Sequence, residues 1–266
     1  MSKVIAIANQ KGGVGKTTTA INLSACLAIL EKKVLVIDLD PQSNTTYGLG
    51  ITKEQVEVSV YDCLLNEHPV EDAIIETDTP NLFVLPSTID LVGAEVELAN
   101  ASQRHLKVRN IIDQVRGDYD YVFIDCLPSL GILTLNALSA ADSVLIPIQC
   151  EIFALDGLGK LKNTIKVVKQ NFNPKLEIEG IILSMYDKRL RLANMVVEQV
   201  RGMVKDHVFD TIIHRNSKIG ESPSVQKPVI IYDAGSKGSR NFLNLAHEFI
   251  KRQSNNINSR NKVGSV

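Results

Sequence analysis

Several absences narrow the possibilities before any motif is read. The sequence holds no run close to the roughly 20 apolar residues that a helix needs to cross a bilayer, which excludes a membrane-spanning helix. Strand-like residues begin almost at the first position and leave no room for a secretory leader, so a cytoplasmic chain is expected. The four cysteines, Cys26, Cys63, Cys126 and Cys150, are widely separated, form no C-x-x-C pair and have no histidine at ligand spacing. They read as buried reduced thiols rather than a metal or iron–sulfur site. An overall excess of charge is missing too, the formal net value being −1.

That near-neutrality conceals an asymmetry. Residues 1–155 carry ten Lys/Arg against twenty Asp/Glu, a net −10, whereas residues 156–266 carry nineteen against ten, a net +9. A basic C-terminal half suggests an anionic partner, the plain alternative being lysines dispersed over solvated helices.

With 266 residues and 44% hydrophobic content, the chain suits one large α/β domain, expected over residues 1–253. The Asn- and Ser-rich residues 254–266 are expected to form a disordered polar tail. Apolar runs at Val4–Ala8, Lys33–Asp38, Leu82–Leu85, Tyr121–Asp125, Val144–Ile148, Ile178–Leu183 and Val208–Ile213 read as strands, most with both faces apolar as in a parallel sheet covered on both sides. Helical spacing lies between them, at Thr17–Leu30, Leu91–Ala101, His105–Val115, Leu155–Gln170, Ala193–Lys205 and Asn241–Lys251. The alternation predicts a doubly wound, mostly parallel α/β sheet with helices on both faces.

Residues 11–19 read Lys-Gly-Gly-Val-Gly-Lys-Thr-Thr-Thr, a phosphate-binding loop of the P-loop NTPase kind in a deviant Walker A form with an extra lysine at its start. It follows a strand and opens a helix, the context that separates such a loop from a glycine-rich turn before a core helix. The glycines allow successive N–H groups to point inward at phosphate oxygens, and the helix adds its positive N-terminal end. Lys11, Gly12, Gly13, Val14, Gly15, Lys16, Thr17 and Thr18 are therefore the expected nucleotide contacts. Lys16 would reach the terminal phosphates, and the Thr17 hydroxyl is placed for Mg²⁺.

Ligands in such folds sit at the carboxyl ends of the strands, where Asp38, Asp40 and Asp125 occur. Asp125 is the expected Walker B carboxylate for Mg²⁺, and Asp40 is expected to orient the attacking water. The alternative for each is a carboxylate that caps the following helix.

Four segments together resemble the ParA/Soj partition ATPases: the loop at 11–19, Ile-Asp-Leu-Asp-Pro-Gln-Ser-Asn at 37–44, Phe-Ile-Asp-Cys-Leu-Pro-Ser-Leu at 123–130 and Glu-Ser-Pro-Ser at 221–224. Gly-Ile-Leu-Thr-Leu-Asn-Ala-Leu at 131–138, Pro-Ile-Gln-Cys-Glu at 147–151 and Lys-Pro-Val-Ile-Ile-Tyr-Asp at 227–233 extend the resemblance, which runs from about Val4 to about Ile250. It implies ATP and Mg²⁺ as cofactors, hydrolysis of ATP to ADP and phosphate, and an ATP-bound homodimer in which Lys11 reaches the partner's phosphates. It also implies sequence-independent DNA binding by the dimer, a ParB-type centromere-binding protein that stimulates slow hydrolysis, a nucleoid-associated location and no membrane. Arg189 and Lys218 are the positions it assigns to DNA, with Lys188, Arg191, Lys227, Lys237, Arg240 and Arg252 as a wider patch. Asn216 is assigned to the nucleotide base. With the loop at residue 11, no room is expected upstream for the helix-turn-helix region of longer plasmid relatives.

The chain departs from the family pattern at Leu127, where the first of two prolines usually stands, and at His214, where a proline usually precedes Arg-Asn. A less rigid loop after Asp125 is expected from the first. Ser43 replaces a commoner glycine or alanine, a tolerable change. Two other functions stay open at this level. A MinD-like membrane switch would use Phe242, Leu245 and Phe249 of Asn241–Arg252 as an apolar stripe, although the polar tail speaks against it. A carrier of the nitrogenase iron-protein type is disfavoured by the cysteine spacing.

Overall fold

The computed structural model describes residues 2–152 and 154–263. Seven strands form one sheet: β1 (Lys3–Ile7), β2 (Val34–Leu39), β3 (Ile75–Glu76), β4 (Leu82–Leu85), β5 (Tyr121–Cys126), β6 (Ser143–Gln149) and β7 (Glu177–Ser184). Their order is β3-β4-β2-β5-β1-β6-β7, parallel throughout except for β3, which pairs antiparallel with β4 at one edge. The main helices are α1 (Lys16–Ile29), α2 (Lys107–Val115), α3 (Ile132–Ala140), α4 (Ala154–Asn171), α5 (Arg191–Met203) and α6 (Lys237–Val263).

Both faces of the sheet are apolar, and the period-2 alternation of each strand divides them. Val4, Ala6, Leu35, Ile37, Val122 and Ile124 join the core beneath α2, α3, α4 and α5. Ile5, Ile7, Val34, Val36, Tyr121 and Phe123 join the opposite core beneath α1 and α6. The expected doubly wound architecture is thus present. Phe249 of α6 is fully buried, its ring centroid 5.4 Å from Tyr121 and 5.9 Å from Phe123. With Phe242 and Leu245 also buried there, the apolar stripe of this helix is already covered by the protein's own core.

Two expectations change. Residues 208–213 do not form a strand beside β7. Phe209 N donates to Ile181 O at 2.9 Å and Ile213 N to Leu183 O at 2.9 Å, but the intervening Asp210 and Thr211 N–H groups donate to the Glu248 carboxylate at 2.7 and 2.9 Å. A side chain of α6 interrupts the ladder, leaving isolated Ile181–Val208 and Tyr186–His214 bridges. Residues 254–263, read as a disordered tail, continue α6 to Val263, and residues 264–266 lie outside the described residues. Once a helix is nucleated on a packed stretch, propagation into a polar sequence adds a backbone hydrogen bond per residue without needing a buried face.

Candidate nucleotide-binding site

The loop between β1 and α1 is held from three sides. Asn9 donates its side-chain amide to Pro147 O at 2.7 Å and accepts from Lys11 N at 3.0 Å, while Ser184 Oγ donates to Val14 O at 2.7 Å. Gly13 (φ 72°) and Gly15 (φ 92°) occupy the left-handed region, where a side chain would be strained. Gly15 is the N-cap of α1 and no side chain caps that helix, so the first-turn N–H groups are free to meet an anion.

Lys16 is buried, with Nζ 3.3 Å from Lys11 O. Burial lowers its pKa, an effect opposed by Asp125, Cys126 and Asp40. Thr17 Oγ1 donates to Asp125 Oδ2 at 2.7 Å, and Thr45 Oγ1 donates to the same oxygen at 2.7 Å. Asp125 Oδ1 is buried and has no hydrogen-bond partner. Burial pushes the Asp125 carboxyl up to about 6, with the two threonine hydroxyls and Lys16 pulling the other way.

Asp38 stands opposite Asp125 in the β2–β5 register. It accepts from Thr46 N at 2.9 Å, Thr46 Oγ1 at 2.8 Å and Asp40 N at 3.1 Å. Burial first, and the facing Asp125 second, push it up to about 7. Asp40 is half-buried and its Oδ1 accepts from Gln42 N at 2.9 Å. Ser43, at φ 54°, is left-handed, which gives a physical reason for glycine at this position.

A cavity of about 220 Å³ opens beside the loop, lined by Thr17, Thr18, Ile21, Asn22, Tyr47, Pro223 and Lys227 among others. Asn22 ties its two walls together by accepting from Val229 N at 2.7 Å. A sequence motif cannot name these residues, since they come from segments some two hundred positions apart; only the Lys-Thr of the loop signals them.

The remaining expected residues are placed as follows. Lys11 is part exposed and pairs with Glu151 at 3.3 Å. Asn216 is not among the cavity residues; it is the N-cap of a short helix, accepting from Lys218 N at 2.9 Å. Arg189 is exposed and pairs with Asp187 at 2.6 Å, and Lys218 pairs with Glu221 at 2.8 Å. Their loops are joined by a Tyr186–His214 bridge. Lys188, Arg191, Lys227, Lys237 and Arg240 are exposed, whereas Arg252 is only part exposed and lies 3.7 Å from the buried Glu179. His214 N donates to Asn241 Oδ1 at 3.2 Å, a bond that a proline could not make. Leu127 is partly buried against the core formed by the sheet and α3.

Comparison with known proteins fits this geometry. A family model for an AAA domain (AAA_31) matches residues 2–178. The chromosome partitioning protein ParA of Myxococcus xanthus is 51% identical over 252 residues, which cover 95% of this chain and 89% of that protein. The sporulation initiation inhibitor protein Soj of Bacillus subtilis is 50% identical over 248 residues, covering 93% of this chain and 98% of that protein. Among solved structures, cobyrinic acid a,c-diamide synthase from Mycobacterium smegmatis with bound ADP and magnesium superposes with a TM-score of 0.84 at 35% identity, over 96% of each chain.

Proposed function

This chain belongs to the ParA/Soj family of chromosome-partitioning proteins, and from that premise we propose that it is an ATP-switched, DNA-binding dimer that hydrolyses ATP slowly. One observation carries the reading: the Thr17 hydroxyl donates to the buried Asp125, whose Oδ1 has no partner and whose charge acts on Lys16, beside a loop with Gly13 and Gly15 in the left-handed region. An orphaned carboxylate oxygen beside a hydroxyl suits a hard cation. Thr17 and Asp125 are the residues that would hold Mg²⁺. When bound, Mg²⁺ supplies charge neutralisation to the phosphates.

In this reading Lys16 holds the terminal phosphates, and the cavity beside Thr18 receives the base. Asp40 orients the attacking water and takes its proton, and Lys11 leaves Glu151 to reach the phosphates of the second subunit. Arg189 and Lys218, with the exposed cations around them, meet the DNA backbone without reading sequence. A ParB-type protein stimulates hydrolysis and resets the switch, and the protein acts in the cytoplasm on the nucleoid. The burial of Phe242, Leu245 and Phe249 supports DNA over a membrane as the surface bound. The test is DNA binding measured with ATP, with ADP and without nucleotide, at two salt concentrations. Binding is expected only with ATP and to weaken steeply with salt; binding indifferent to nucleotide sinks the reading.

A further inference from the structure

The Glu248 carboxylate that interrupts the ladder beside β7 also faces a titratable ring. Its Oε1, which accepts from Asp210 N at 2.7 Å, lies 4.0 Å from His207 Nε2. That nitrogen is buried and has no hydrogen-bond partner, although the side chain as a whole is 31% exposed. The ring is wedged in place. It stands edge to face with Phe209, centroids 4.9 Å apart, and packs so closely on β7 that a Cβ at Gly180 would stand 3.0 Å from its Cδ2.

Every element around the ring brings charge. From α6 come Glu248 and Arg252, whose Nε is buried without a hydrogen bond, 3.7 Å from Glu179. Glu179 of β7 is itself held by Lys3 of β1 at 2.5 Å, Ser143 of β6 at 2.6 Å and Gln253 of α6 at 2.7 Å. The segment itself adds Asp210 and Asp206, the latter paired with Lys162 of α4 at 2.5 Å, and Arg201 of α5 donates to Asp210 O at 3.0 Å. Burial first and Arg252 second hold the His207 pKa below its ordinary value, against Glu248, Asp210 and Glu179. A base whose pKa is lower in a closed form than in an opened, hydrated one takes up a proton on opening, so acid favours the opened form.

What would open is the connection to the proposed DNA contact. Residues 207–213 are pinned to β7 by Ile181 N on His207 O at 2.8 Å, by Phe209 N and by Ile213 N, with Glu248 taking the two amides between. The chain then runs straight into Asn216 and Lys218.

We propose that His207 and Glu248 form an acid-released latch: neutral His207 leaves the carboxylate to the Asp210 and Thr211 amides, and protonated His207 draws it away, freeing the segment that positions Lys218. An imidazolium offers the carboxylate a full charge where the amides offer dipoles. The latch stands on these contacts alone; its effect on DNA rests on the DNA-binding reading.

The test is NMR on the full chain from pH 7.5 to 5.0, reading the His207 ring and the hydrogen-exchange protection of the Asp210 and Thr211 amides, corrected for the intrinsic pH dependence of exchange. Protection is expected to fall several-fold with the titration of the ring, and to stay level in His207→Gln, which cannot take the proton. Asp38 and Asp125 are raised toward the same range, but they lie at the carboxyl ends of β2 and β5, so Asp38→Asn should leave the fall intact. Constant protection in the unmodified chain overturns the latch whether or not the variant folds, and so does an identical fall in His207→Gln. DNA affinity with a non-hydrolysable ATP analogue is taken as the ratio of His207→Gln to the unmodified chain, which cancels the titration of other groups, and should rise several-fold toward pH 5.0. A level ratio with falling protection overturns the coupling to Lys218. No DNA binding at any pH overturns the DNA reading itself, and the amides still decide the latch.

Discussion

Asp38 and Asp125 face each other across the β2–β5 ladder, both fully buried, each the penultimate residue of its strand. Two adjacent parallel strands thus deliver two carboxylates to one point, and the protein answers with different donors: Thr46 and the Asp40 N–H for the first, Thr17 and Thr45 for the second. Asp38 organises the loop that carries Asp40, while Asp125 keeps one oxygen open.

This pair sets a pH dependence. Both carboxyls are raised above the ordinary 3.8, to about 7 and about 6, so between those limits the native state binds more protons than the unfolded chain. Metal-free stability therefore falls as pH rises from 4 to 8, by on the order of a few kcal/mol. Urea midpoints in EDTA should show that fall, and Asp38→Asn should flatten it. An identical slope in the variant removes Asp38 as its source.

Thr45 is the donor to Asp125 that no motif announced. Thr45→Val deletes a hydrogen bond to a charged acceptor, worth roughly 1.5–3 kcal/mol at pH 8 where the carboxyl is ionised. Chemical denaturation reads the loss, and the Mg²⁺ concentration needed for hydrolysis should rise. Wild-type stability together with wild-type Mg²⁺ dependence contradicts the assignment.

Ser43 holds φ 54° and gains only a long 3.4 Å contact from its hydroxyl to Pro41 O. Ser43→Gly should relieve about 1 kcal/mol of backbone strain, visible as a raised thermal midpoint.

Lys11 and Glu151 form a solvent-exposed pair, the kind worth roughly 0–1 kcal/mol. Glu151→Gln should leave stability almost unchanged and strengthen ATP-dependent dimerisation, because Lys11 no longer has a partner to give up. Lys11→Ala should abolish that dimerisation at equal stability. Light scattering with a non-hydrolysable ATP analogue separates the two; a dimer in Lys11→Ala ends the trans role.

Arg189 is tied to Asp187, whose carboxyl it holds well below the usual range. Asp187→Asn frees the guanidinium and should strengthen DNA binding, while Arg189→Glu should weaken it several-fold and reduce the salt slope. Opposite or null shifts move the DNA surface elsewhere.

Much of the site was legible because its parts are local. The β1–loop–α1 unit needs only glycines, a lysine and helical spacing within a short stretch, and Asp38 and Asp125 announce themselves as charges ending apolar runs. Val208–Ile213 misled because a strand's apolar pattern says nothing about whether its N–H groups reach a neighbour; here Glu248, far along the chain, takes two of them. The proline replaced by His214 is explained only by Asn241, which uses the N–H that the replacement restores.

The sequence by itself determined the alternation of strand and helix, the phosphate loop and the opposed charges of the two halves, because periodicity, glycine and charge are properties of neighbouring residues. Only the tertiary structure decided that Asp38 faces Asp125, that Thr45 shares an oxygen with Thr17 and that Lys11 rests on Glu151. Each of those depends on strand order and on which side of the sheet a connection crosses, and these follow from packing of the whole chain.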